Sequence, residues 1–316
     1  MKKINTKIAI LVVLILSIGV VVPAFADSIG AFDFESPVYS VGNIDGQDGW
    51  TKTGGFDVEV DLVASFANAV GFGFGDQAMR FSNGVTSGSF GDQTFSPGLA
   101  SPANETDPTH FEASFSIGST DAAQQPGLFL SVSPDDGSGS RMSYVGFDDQ
   151  ADGIHVLFYD ATNPGPLNVG VTAFNLIEAV TINRTSAHTV KFVIDLVPGP
   201  ANDVVELYVD GNLVATGTTW EDYYRYDPEQ NGNGNVVPPI SKMLFRAGGS
   251  AAPSTLGNGY LIDSVSLVSG PVLMGPPIAK DECKKDGWKT FNNPTFKNQG
   301  QCVSYVQANE KAGKKN

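Results

Sequence analysis

Basic side chains are scarce in this 316-residue chain: 19 Lys and Arg stand against 34 Asp and Glu, for a formal net charge of −15. A nucleic-acid backbone needs a basic face to displace its counterions, so nucleic-acid binding is excluded as a function class. Cysteine is scarcer still, with two in the whole chain, which excludes a scaffold built on many disulfides. Charged residues make up only 17% of the chain and hydrophobic residues 41%, so the acidity is not that of a disordered tail. After Val22 there is no second long apolar run, and no helical 3.6-residue period lasts beyond two turns. Those absences argue against a membrane-spanning mature protein and against a helical bundle. Hydrolase signatures are missing as well: no Gly-x-Ser-x-Gly elbow and no His-Glu-x-x-His pair occur. His110, His155 and His188 stand singly and read as surface or core residues rather than ligands.

The N-terminus has the pattern of an export signal. Lys2, Lys3 and Lys7 flank or precede the apolar run from Ile8 to Val22, and Ala24-Phe25-Ala26 is a small-x-small cleavage site. The run falls short of the roughly 20 residues needed to span a bilayer. Residues 1–26 are therefore expected to be removed, leaving a secreted protein, extracellular or at the cell surface, that begins near Asp27. Charge then divides the remainder. Residues 27–279 hold eight basic side chains against 30 acids, a net of −22, whereas residues 280–316 hold eight Lys against four acids, a net of +4. A sign reversal of this kind marks a boundary. The Pro- and Gly-rich stretch 271–279 is the expected linker, because it can continue neither strand nor helix. The expected organisation is a body over 27–270 and a small basic module over 280–316.

The body reads as strands throughout. Gly 36 and Pro 19 among Phe 20 and Tyr 9 suit many short strands joined by tight turns. Alternating or β-branched runs occur at Ala31–Glu35, Phe56–Val63, His110–Ile117, Leu128–Val132, Arg141–Phe147 and Ile154–Tyr159. Further runs follow at Val180–Asn183, Thr189–Leu196, Val204–Val209, Leu213–Thr216, Met243–Arg246 and Tyr260–Leu267. Asp210-Gly211-Asn212 sits between two of them as a hairpin turn, since Asp-Gly accepts the positive φ that such turns require. These strands predict one all-β, two-sheet sandwich.

Phe32-Asp33-Phe34-Glu35, the turn Gly42–Trp50, Glu206–Gly211 and Tyr260–Leu267 stand in the body. Together they resemble the concanavalin A-like, laminin-G-like jelly-roll domains of bacterial secreted proteins. The resemblance covers the whole body and implies an antiparallel jelly roll. Fold alone does not imply function. In calcium-bearing carbohydrate-binding sandwiches, a first-strand carboxylate and a last-strand Asp share a structural ion. Glu35 and Asp263 match those places and are the expected calcium ligands, a hard cation offsetting the repulsion between carboxylates. The other reading of Asp263 is a cap on backbone amides, or a solvent-facing position at a bulge.

Two further constellations could carry function. Asp57, Glu59 and Asp61 alternate with apolar residues, so the three carboxylates share one strand face about 7 Å apart in succession. Laminarinase-type glycosidases of this fold carry alternating acids on one strand in a Glu-x-Asp-x-Glu order, which is reversed here. These three are the candidate catalytic residues of the alternative reading, a glycoside hydrolase; the other reading is a solvated strand face. The second constellation is Trp220, Glu221, Asp222, Tyr223, Tyr224 and Arg225, expected in a loop after the hairpin. Its rings can stack on sugars while its polar groups bond hydroxyls. Alternatively, these aromatics plug the space beneath the Gly/Asn-rich stretch 231–235.

Cys283 and Cys302 enclose the aromatic and Lys-rich core of the tail and are expected to form one disulfide, since two thiols without His do not make a zinc site. The tail resembles a short C-terminal motif of varied bacterial exported proteins. Taken together, the sequence predicts a secreted, non-catalytic sandwich that binds a polysaccharide or an anionic cell-surface polymer. A structural envelope or adhesion protein without a small ligand is the third alternative.

Overall fold

A computed structural model describes residues 27–88, 91–106, 109–165, 171–271, 276–285, 287–289, 291 and 294–312. The expected signal segment 1–26 and part of the expected linker, 272–275, lie outside the described residues. Among the described residues no helix is long and apolar enough to cross a membrane.

Sixteen strands run through the described residues. In chain order they are β1 (Asp27–Phe32), β2 (Gly42–Asn43), β3 (Thr51–Lys52), β4 (Val58–Leu62), β5 (Gln77–Phe81), β6 (Gln93–Phe95), β7 (His110–Ser119) and β8 (Phe129–Asp135). The second half holds β9 (Val145–Gln150), β10 (Gly153–Thr162), β11 (Ala173–Ile182), β12 (His188–Asp195), β13 (Val204–Val209), β14 (Asn212–Gly217), β15 (Lys242–Ala247) and β16 (Tyr260–Gly270). They form two sheets with antiparallel pairings. One runs β14-β13-β12-β7-β16-β5-β4-β2, with β1 also on β16, and the other runs β11-β10-β9-β8-β15-β6-β3. The fold is the expected all-β sandwich.

Alternation along the strands fills the space between the sheets. Phe111, Phe115 and Ile117 of β7 meet Phe147 of β9 and Phe245 of β15, with Phe115 edge-on to Phe245 at 5.7 Å and to Phe147 at 6.0 Å. Edge-to-face rings of this kind add to the burial of apolar area that drives sheet packing. The Asp210-Gly211 turn joins β13 to β14 with φ of 50° and 76°, as the sequence predicts.

The β16 strand departs from simple parity. Tyr260 and Ile262 face the main core, and Leu261 joins a smaller cluster with Val63, Ala69 and Ala78. The register then slips between Asp263 and Ser266, with Ser264 at φ 53°, and Val265 and Leu267 return to the main core. Asp263 therefore does not share a face with Val265 and Leu267, as unbroken alternation would require. A bulge supplies the extra residue.

In the tail, Cys283 and Cys302 form a disulfide, S–S 2.04 Å. They pack with Phe296 and Val306 in a cluster of their own, joined by Trp288, Phe291, Val303 and Tyr305. A helix, α2 (Gln299–Ala312), carries the second cysteine. Such a bond forms in an oxidising setting.

Candidate functional site

The segment after β14 is a helix rather than a loop. Trp220 leads into α1 (Glu221–Tyr226; α2 follows it in chain order), and a 3-10 turn spans Pro228–Asn233. Phe158 and Phe245 point into the core, so Tyr159 and Arg246 face outward from the seven-stranded sheet. Trp220 is fixed over that outer face: its amide donates to the Met142 carbonyl at 2.9 Å and its indole to the Tyr159 carbonyl at 3.2 Å.

The result is a cleft of about 590 Å³ walled by aromatic rings. Trp220 lies nearly parallel to Tyr144, with centroids 6.1 Å apart, and against Phe174 at 4.6 Å. Phe174 is edge-on to Tyr223 at 5.4 Å, and Tyr144 edge-on to Tyr159 at 4.7 Å. Polar groups enter from two sides. Arg141 and Arg246 line the cleft, both mostly buried, and Glu229 and Gln230 line it from the 3-10 turn. The Tyr223 hydroxyl donates to Glu229 at 3.1 Å. Burial lowers the Arg141 pKa, and the nearby Arg246 charge lowers it further. Burial also raises the Tyr144 pKa.

Of the six residues expected to bind ligand, three line this cleft and three do not. Trp220 and Tyr223 are half-buried on its wall, and Tyr224 is buried, its hydroxyl donating to the Arg141 carbonyl at 2.9 Å. Glu221, Asp222 and Arg225 are not among its lining residues. Glu221 accepts the Asn202 and Asp203 amides at 3.0 and 3.1 Å, and Arg225 bridges Glu221 and Glu105. Glu105, Asp203 and Glu221 each bring a carboxylate oxygen within 4.8 Å of the others, an arrangement able to hold a metal ion. Here Arg225 supplies positive charge. Burial, with Glu221 and Glu105 close by, still pushes Asp203 up to about 7.

Asp57, Glu59 and Asp61 do share one face at β4, but Arg80 of β5 lies among them, opposite Glu59 in the register. Its guanidinium meets Asp57 at 2.8 Å, Asp61 at 2.5 Å and Glu59 at 3.5 Å. Burial raises the Asp57 pKa, but bonds from Arg80, Ser82 and the Gly257 amide outweigh that and hold it below the usual carboxylate value. Only Glu59 of the three is exposed, with 45% of its side chain accessible. Two of the carboxylates are thus committed to an ion-pair ladder.

Glu35 and Asp263 come into the same neighbourhood. Asp263 is 3% exposed, and one of its oxygens, Oδ1, is buried without a hydrogen-bond partner. Burial, followed by the charges of Asp33 and Glu35, pushes its carboxyl up to about 6. Glu35 accepts the Gln77 amide at 3.0 Å. Gly75 packs so tightly on Glu35 that a Cβ there would fall 1.8 Å from Oε1. Asp263 Oδ1 is an orphaned carboxylate oxygen of the kind a hard cation satisfies, but Asp33, Glu35 and Asp263 do not form a group with oxygens all within 4.8 Å of one another, as Glu105, Asp203 and Glu221 do.

The three histidines each contact a carboxylate. His110 meets Asp195 at 2.6 Å, His155 meets Asp152 at 2.8 Å, and His188 meets Asp210 at 2.7 Å. Ser186 Oγ lies 3.3 Å from His188 Nε2, a Ser-His-Asp sequence of contacts. The Asn183 carbonyl is closer to that nitrogen, at 3.1 Å, and Asn183 Oδ1 takes the Ser186 proton at 2.8 Å. A base needs a free lone pair at this nitrogen, so the cluster ties a turn together rather than activating a nucleophile.

No family model matches the chain, and no curated protein matches it. Solved structures that resemble it include an alginate lyase in complex with an alginate trisaccharide, at 14% identity, covering 77% of this chain and 98% of the lyase with a TM-score of 0.42. A carbohydrate esterase from a Shiga toxin-encoding bacteriophage matches at 13% identity, 78% and 100% coverage and TM-score 0.42. Winged bean acidic lectin complexed with methyl-α-D-galactose matches at 13%, 78% and 99%, with a TM-score of 0.37. The fold assignment rests on the two sheets themselves.

Proposed function

We propose that this protein is exported and binds carbohydrate, without catalysis, in the aromatic cleft on its seven-stranded sheet. The observation that carries this reading is the cleft itself: Trp220, Tyr223, Tyr144 and Phe174 offer flat apolar faces beside Glu229 and Gln230, whose oxygens and amide can bond hydroxyls. A sugar ring, with apolar faces and a rim of hydroxyls, suits both at once. Glu35 and Asp263, with Asp33 beside them, are the residues that would hold a structural calcium ion. The ion would neutralise buried carboxylate charge, with no part in ligand recognition. The basic tail is read as a second contact, for an anionic polymer of the cell surface.

A glycan array probed with the protein from Asp27 onward tests this. Binding is expected in the wild type and at least a tenfold loss in Tyr223→Ala, since aromatic contacts of this kind contribute about 1 to 3 kcal/mol in the comparable stacking of nucleic-acid bases. Binding indifferent to Tyr223→Ala contradicts the reading. Reducing sugar released from any polysaccharide, and abolished by Glu59→Gln, would replace it with the glycoside hydrolase.

A further inference from the structure

We propose that the cleft is one end of a groove along the outer face of the seven-stranded sheet, and that the groove takes a linear, uncharged polysaccharide with Phe129 as a second stacking platform. This rests on the carbohydrate reading above and names its ligand class.

The inference starts from two glycines. Leu130 and Val132 of β8 and Phe147 of β9 point into the core, so Phe129, Ser131, Gly146 and Asp148 stand on the outer face with Tyr159 and Arg246. In the register Phe129 lies opposite Asp148, and Gly146 lies between Ser131 and Leu157 of β10. On the other flank the Gly248 amide, just past β15, donates to the Phe129 carbonyl at 3.1 Å. A Cβ at Gly248 would fall 2.5 Å from Phe129 Cδ1, and one at Gly146 would fall 2.8 Å from its Cζ. The two bare positions therefore let the phenyl ring lie low across the sheet, where it remains partly exposed. Glycine inside a strand weakens it, and it recurs where something must approach the backbone closely. Gly146 also leaves no side chain standing between Phe129 and the cleft.

The ring is continuous with the cleft. Ser131, the next outward residue on β8, is opposite Arg246, a cleft-lining residue, which makes Phe129 a diagonal neighbour of Arg246 at about 7 to 8 Å. Along the other strand, Tyr144 of the cleft wall and Asp148 beside Phe129 are four residues apart, about 14 Å at an extended rise. One sugar ring cannot reach across that separation, whereas a chain laid along the strands stacks at both ends. Charge on the path argues against an acidic chain. Asp148 stands beside Phe129, Glu178 is exposed opposite Leu157, and Glu229 stands at the cleft rim. His155, opposite Asp148, is held by Asp152 at 2.8 Å and by Glu178 at 2.9 Å. Asp135 acts on Arg141, and Asp92 and Arg246 act on each other, so the two arginines are offset from within the protein. These carboxylates repel a polyanion and accept hydrogen bonds from hydroxyls.

The test is titration calorimetry with cellobiose and cellohexaose, laminaribiose and laminarihexaose, xylobiose and xylohexaose, mannobiose and mannohexaose, and a galacturonate hexamer. At least one neutral hexamer is expected to bind about tenfold or more tightly than its own dimer. Phe129→Leu keeps an apolar cover over the two glycines and removes the flat ring. It should bring the hexamer close to the dimer and leave the dimer unchanged, while Tyr223→Ala weakens both. The length comparison on wild-type protein needs no variant, so a misfolded Phe129→Leu leaves the test intact. A hexamer no tighter than its dimer, with both lost in Tyr223→Ala, overturns the groove and keeps the carbohydrate cleft. A length preference unchanged in a folded Phe129→Leu also overturns it, and a galacturonate hexamer that binds more tightly than every neutral one overturns the uncharged class. Failure of every probe to bind at about 1 mM overturns the proposal, and failure on the array as well overturns the cleft reading itself.

Discussion

Asp135 lies wholly out of solvent, with Oδ1 accepting the Gly137 and Gly139 amides at 2.6 and 3.1 Å and Oδ2 without a partner. Burial pushes its carboxyl up from 3.8 to about 6. The folded protein thus holds the proton more tightly than the unfolded chain. Stability from this group is complete below about pH 4 and is lost as pH rises through about 6. Asp135→Asn keeps an amide-accepting oxygen and does not titrate. Melting curves from pH 4 to 8 should therefore show the wild type losing on the order of 3 kcal/mol relative to Asp135→Asn. Parallel curves would contradict the burial argument. At this scale the sequence was half legible. The shared face of Asp57, Glu59 and Asp61 follows from strand periodicity, but Arg80 between them does not, because its own strand pattern says nothing about which strand it lies beside. The same gap hid Arg141 and Arg246, which come to line one cleft only once β8 and β15 have paired.

Among the elements, strands with clear alternation were readable, and Val204–Val209 has the predicted bounds. Gln77–Phe81 was not, since all five of its residues are buried and Arg80 interrupts the apolar pattern. Trp220–Tyr226 was expected as a loop because a six-residue helix, less than two turns long, is too short for a period to register. The bulge at Ser264 escaped for a related reason: one extra residue in a strand leaves no mark on composition. That bulge places Asp263 away from the main core and near Asp33 and Glu35, which makes calcium an element-level prediction. Added calcium should raise the melting temperature above that in EGTA, by mass action on the folded state. Asp263→Ala should abolish the difference. A wild type with no calcium shift would remove the ion from the account.

Over the whole molecule, the seven-stranded sheet, one helix and one 3-10 turn converge to build the cleft from residues between Gly139 and Arg246. The body is strongly acidic, yet two of its five arginines line that cleft. Three tryptophans occur in the chain: Trp50 is fully buried in the main core, Trp288 packs in the tail cluster, and Trp220 is the one on the cleft wall. That distribution makes tryptophan emission a local reporter. The most direct measurement is a titration of the protein from Asp27 onward with its best-binding array oligosaccharide, following emission in wild type and in Trp220→Phe. The account predicts a saturable change in wild type that vanishes in Trp220→Phe. An oligosaccharide that binds both proteins with the same emission change would place carbohydrate elsewhere and contradict the cleft.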